Sequence, residues 1–204
     1  MPIKLVKWIV GLLVAGILVI GFKQTLFAYH RKAAAQPEKT TKVAVKSKTT
    51  RHVKSTSQSI DWHKPSMTKA YPDLAAHPQV KLEVSIAKQR VYLIDQGKTL
   101  YTMRASTGKK GSATPKGHFK IQAERGTHFY NAASGEGANY WVSFKDHGIY
   151  LFHSVPVDAS GHYVAKEAEQ LGKKSNSHGC VRLSIADAKW LYEHIRQGTP
   201  VIIS

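Results

Sequence analysis

One cysteine occurs in the chain, Cys180, inside the stretch Ser175-Asn-Ser-His-Gly-Cys-Val-Arg-Leu-Ser184. Without a second cysteine there is no internal disulfide, which leaves an inert core thiol, an intermolecular link or a nucleophile. A thiol of ordinary pKa, about 8.5, is only slightly ionised at pH 7, so nucleophilic work needs a base within reach and a third group fixing that base's tautomer. His178, two residues before the cysteine, and His153, further upstream, are the candidate bases. Gly179 has no Cβ and admits close approach of a substrate, and the amides of Gly179 and Cys180 are candidate oxyanion donors. Arg182 is permanently cationic, suited to lowering the thiol pKa or holding a carboxylate. His153, His178 and Cys180 are all metal-ligand types, yet no short-spaced set has zinc-site spacing, so no metal is expected.

These residues need a scaffold, and from Val80 the chain reads mainly as β. Val80 to Ile86, Arg90 to Asp95 and Thr99 to Ser106 alternate apolar and polar residues, with a Gln96-Gly97 turn closing a hairpin. Thr107 to Gly117 is a loop rich in Gly, Lys, Ser and Pro, and Phe119 to Ala123 resumes as a strand. Tyr140 to Phe144 and Ile149 to Phe152 are further short strands, the second delivering His153 at its end. Two helices are expected: a short one over Ala165 to Leu171, and a better one capped by the Ser184-Ile-Ala-Asp187 box and stopped at Gly198. Pro200 to Ile203 forms a last strand. Many short strands with one good helix predict a β-sandwich or partly open barrel.

The stretch Ser177-His-Gly-Cys-Val-Arg-Leu-Ser184 resembles the signature of the L,D-transpeptidases, exported enzymes that cross-link peptidoglycan. Ser106-Thr-Gly108, Thr114-Pro-Lys-Gly-His-Phe119, Phe152-His-Ser154 and the Val84 to Asp95 hairpin agree with it, so the resemblance covers Val80 to Ser204. It implies a β-sandwich-like catalytic domain that needs no cofactor. Cys180 would be the nucleophile and His153 the base, with the Ser154 backbone carbonyl orienting the ring. His178 and Gly179 would border the oxyanion side, and Ser177 and Arg182 the substrate. Arg182 stands where many relatives have asparagine, and the interval from His153 to Ser177 is long, so Pro156 to Ser175 reads as an enlarged loop over the cleft. The implied reaction removes the terminal D-alanine of a tetrapeptide stem through a Cys180 thioester, then passes the acyl group to an amine of another stem, giving a 3-3 cross-link, or to water. A sortase-like thiol transpeptidase would want a Thr-Leu-x-Thr-Cys strand, which Asn176 to Cys180 matches poorly. The rival of a different class is a non-enzymatic wall-binding protein.

The rest of the 204 residues divides in two. Residues 1–29 carry Lys4 and Lys7, an uncharged run from Trp8 to Phe22, and Lys23, the pattern of an export signal or membrane anchor. We expect an uncleaved transmembrane helix holding the catalytic domain outside the cell membrane, the alternative being secretion after cleavage. Residues 30–79 are basic and aperiodic, a flexible linker with a reach of about 40 Å as a coil, of which Trp62, Met67, Tyr71 and Leu74 are able to pack on the domain. The net charge of +17 includes +7 from residues 30–79 and +7 from residues 80–204. Anionic wall polymers or lipid head groups are thus expected partners beside the stem peptides. No nucleic-acid-binding motif is present, and nucleic acid is not an expected partner.

Overall fold

Leu82 and Val84 point inward and Lys81, Glu83 and Ser85 outward along β1 (Lys81–Ser85), the half-buried alternation of a strand with one face on a core. The computed structural model describes residues 60–204; the apolar segment 1–29, and with it the expected transmembrane helix, lies outside the described residues. β1 pairs antiparallel with β2 (Arg90–Asp95), which turns through Gln96 and Gly97, both at positive φ, into β3 (Lys98–Ser106). β9 (Pro200–Ile203) lies parallel to β1, and β4 (Gly117–Lys120) runs antiparallel to β9.

β3 links the two halves of the sheet. Lys98 to Arg104 run along β2, with Leu100 unpaired at a register shift, and the last two residues, Ala105 and Ser106, pair with β8 (Val181–Leu183). β7 (Tyr150–Ser154) is parallel to β8, followed outward by β6 (Glu136–Lys145) and β5 (Arg125–Asn131). The strand order is β4-β9-β1-β2-β3-β8-β7-β6-β5. The expected sandwich is therefore one curled sheet whose far ends meet. Beyond β4, Gln122 N donates to Ser143 O at 2.8 Å and Ser143 N to Glu124 O at 2.9 Å, so the chain after β4 zips onto β6.

Leu82, Val91, Leu93, Met103, Val181 and Leu183 fill the interior of this curl, each fully buried. α2 (Ile185–His194) covers β6, β7 and β8 with Ala188 and Leu191. The Ser184 hydroxyl caps it by accepting from the Asp187 amide at 3.1 Å. α1 (Ala165–Ala168) is shorter than its predicted span, because the chain turns after Glu169 so that Leu171 can join Val155 and Ala168 in a small second core.

Residues 60–79 include the four expected to pack. Trp62 lies against the second core, Tyr71 stacks on Trp190 at 4.8 Å and Leu74 is buried, while Met67 stays 38% exposed. This strap is fixed by Asp187, which accepts from Ser66 N at 3.3 Å, from the Ser66 hydroxyl and from Tyr71 OH at 2.8 Å.

Candidate active site

The parallel pairing of β7 with β8 sets Phe152 beside Val181 and His153 beside Arg182. Because side chains alternate, Phe152, Val181 and Leu183 enter the core, whereas Leu151, His153, Cys180 and Arg182 line a cleft of about 360 Å³ on the opposite face. Two residues 27 positions apart in sequence thus share one cavity. The β5–β6 hairpin supplies the facing wall with Phe129, Glu136 and Trp141.

The loops around Cys180 follow from their glycines. A Cβ on Gly108 would lie 2.0 Å from Ser112 O, so only glycine lets the 107–117 loop fold back, closed by Gly108 N donating to Thr114 Oγ1 at 2.8 Å. Gly179 has φ +122° and packs against Tyr150, where a Cβ would approach Cε1 to 3.0 Å. The turn presenting Cys180 is fastened by Ser177, whose hydroxyl donates to Cys180 O at 2.6 Å and accepts from Gly179 N at 3.1 Å. Ser177 thereby uses its hydroxyl within the loop. Of the two predicted oxyanion amides, that of Gly179 is taken, while that of Cys180 has no acceptor among the described residues.

His153 is 5% exposed, its Nδ1 2.6 Å from Ser154 O. A carbonyl only accepts, so Nδ1 carries the hydrogen and Nε2 keeps a free lone pair. Burial, then the Arg182 charge, lower its pKa to about 3 against the opposing effect of the Ser154 carbonyl. Phe129 meets the ring edge-to-face at 5.6 Å. Cys180 is half-buried, its Sγ 3.6 Å from Ile149 O. Burial raises the thiol pKa to about 11, with Glu136 adding to the effect and the Leu151 amide and Arg182 opposing it. Both groups are therefore neutral near pH 7.

Arg182 is 2% exposed and bound on both sides: Nη2 to Glu136 Oε2 at 2.7 Å and Nη1 to Glu167 Oε2 at 2.8 Å. Glu167 arrives on α1, the helix of the long loop, and Asn176 Nδ2 holds the same oxygen at 2.9 Å. The Arg182 Nε has no partner among the described residues. His178 stands on the rim, its side chain 44% exposed, with Nδ1 3.2 Å from Glu136 Oε2 and Nε2 3.0 Å from Lys109 Nζ. An ammonium only donates, so Nε2 accepts and Nδ1–H faces Glu136. Sequence reasoning found Cys180, His153, His178 and Arg182 but missed Glu136 and Glu167. The available signal was Arg182 itself, since a guanidinium within a strand of the sheet requires counter-charges. Among the described residues no three His, Cys, Asp or Glu side chains converge as a metal site.

The model of the YkuD family, the L,D-transpeptidase catalytic domain, matches residues 79–203. The chain belongs to the L,D-transpeptidase family. YciB of Bacillus subtilis (strain 168) is 47% identical over 154 residues, covering 74% of this chain and 78% of YciB. L,D-transpeptidase 1 of Mycobacterium tuberculosis (strain ATCC 25618 / H37Rv) is 28% identical over 128 residues, 57% of this chain and 47% of that protein. The crystal structure of an L,D-transpeptidase from M. tuberculosis H37Rv superposes with a TM-score of 0.51 at 25% identity, covering 62% of this chain and 57% of the other. One from Mycobacterium smegmatis gives 0.50 at 25% identity, over 62% and 58%. The chain thus spans about half the length of these mycobacterial relatives and most of YciB.

Proposed function

We propose that the chain is a peptidoglycan L,D-transpeptidase working through a Cys180 thioester, held at the outer face of the cell membrane by residues 1–29. The observation that carries the chemistry is the β7–β8 pairing, which puts the Cys180 thiol and a histidine with a free Nε2 into one cleft. As the thiol attacks the amide before the terminal D-alanine of a tetrapeptide stem, its proton passes to His153 Nε2 and a C–S bond forms. The Ser154 carbonyl supports the imidazolium, and the Cys180 amide faces the developing oxyanion. When the tetrahedral intermediate collapses the C–N bond breaks, and D-alanine leaves carrying the proton from His153. Attack by an amine of a second stem yields a cross-link, and attack by water yields a trimmed tripeptide.

Neutral partners suit this sequence, because charge separation arises only when substrate fills the cleft and the proton moves in step with attack. Incubating the protein with tetrapeptide-stem muropeptides and reading the products by mass spectrometry tests the reading. Wild type is expected to release D-alanine and form dimers, and Cys180→Ala to do neither. Dimers from Cys180→Ala, or no D-alanine release from folded wild type, would end it.

A further inference from the structure

Glu136 is the one carboxylate lining the cleft among the described residues, and its two oxygens are used unequally. Oε2 accepts from Arg182 Nη2 and lies 3.2 Å from His178 Nδ1, whereas Oε1 has no partner among the described residues. The side chain is 24% exposed, so that oxygen remains open to a ligand. Arg182 is already satisfied on its other edge by Glu167, giving two carboxylates around one guanidinium. The remaining cation nearby, Lys109, stands on an exposed loop across the His178 imidazole.

Resting on the transpeptidase reading, we propose that Glu136 is the specificity residue for the second half-reaction, its Oε1 receiving the ammonium form of the acceptor stem's side-chain amine. Arg182 and His178 hold the carboxylate in place, so it meets the incoming cation with little loss of its own freedom. The bound ammonium gives one proton to Glu136 and thence to solvent, which frees the nitrogen lone pair. Its attack on the thioester carbonyl forms the C–N bond. As the C–S bond breaks, the electron pair stays on sulfur and a second nitrogen proton travels through His153 Nε2 to the Cys180 thiolate. Water needs no such anchor, so Glu136 separates cross-linking from trimming.

The test partitions a single acyl-enzyme, which makes it independent of how fast that species forms. The full chain is given a tetrapeptide-stem donor with an acetylated side-chain amine. Two nucleophiles compete at pH 7: a tripeptide stem with a free, cationic amine, and methoxyamine, which is neutral. In wild type the stem amine is expected to prevail; in Glu136→Gln its yield relative to methoxyamine should fall on the order of tenfold, and Glu136→Asp should lie between. A ratio within twofold of wild type in both variants would overturn the proposal, even if both acylate slowly, since a merely structural role slows both products equally. Absence of D-alanine release from wild type would instead overturn the transpeptidase reading beneath it.

Discussion

Cys180 and His153 are both displaced from their ordinary titration toward neutrality, and burial is the leading cause for each. A thiol raised to about 11 has little thiolate at pH 7, so iodoacetamide should alkylate Cys180 about a hundredfold more slowly than free cysteine, with the rate still climbing above pH 9. A rate plateau near neutral pH would instead reveal a preformed thiolate–imidazolium pair. His153 has the opposite consequence for stability. Its folded pKa, about 3, lies below its ordinary 6.5, so between those values the unfolded chain binds a proton that the native state refuses. Stability from this group is complete above about pH 6.5 and is lost as pH falls toward 3, at most about 5 kcal/mol in all. Urea midpoints at pH 7 and pH 4 should therefore differ more for wild type than for His153→Gln. Equal acid losses in the two proteins would contradict the buried neutral imidazole.

Among the elements, the strap of residues 60–79 meets the domain partly through one buried carboxylate, which joins Ser66 and Tyr71 to the start of α2. Asp187, in the first turn of α2, is fully buried, and its pKa is raised by burial against the donors from Ser66, Tyr71 and Ser184. Removing one donor leaves an under-satisfied acid in an apolar setting, so Ser66→Ala should cost about 2 kcal/mol and lower Tm by roughly 4–8 °C. A shift below one degree by calorimetry would show that the Ser66 hydroxyl adds nothing to the fold through Asp187. The four strap residues able to pack were legible as apolar side chains in a polar stretch. The Asp187 anchor for Ser66 and Tyr71 was not, since nothing in Asp187 as part of a capping box signals partners some 120 residues away. The same distinction runs through the sheet. β1 and β2 alternate plainly, whereas β5 was missed because most of Arg125–Asn131 is exposed and shows no two-residue period. Cys180 and His153, the proposed catalytic pair, were singled out through the family signature, while the clamp on Arg182 was not, because Glu136 and Glu167 come from a hairpin and a loop helix that only the curled sheet brings together.

At the scale of the whole molecule, excess positive charge meets the cleft at one place. Residues 80–204 carry seventeen basic and ten acidic side chains, and the 107–117 loop that Gly108 folds back exposes Lys109, Lys110 and Lys116 beside the His178 rim. Exposed lysines add little to fold stability, but their summed field attracts a polyanion before any specific contact forms. A wall sacculus bearing anionic polymer is such a target, whereas a soluble stem peptide is too small to span the loop and the cleft together. The expected outcome is a substrate-dependent effect of charge. Lys110→Gln with Lys116→Gln should lower kcat/KM on intact sacculi several-fold at 50 mM salt, with the difference vanishing by about 300 mM as the screening length contracts below 10 Å. On soluble tetrapeptide stems the double variant should match wild type at every salt concentration, because neither lysine lines the cleft. If the loss on sacculi persisted at high salt, or appeared equally on soluble stems, the loop would be acting by contact within the site and long-range attraction would be the wrong account.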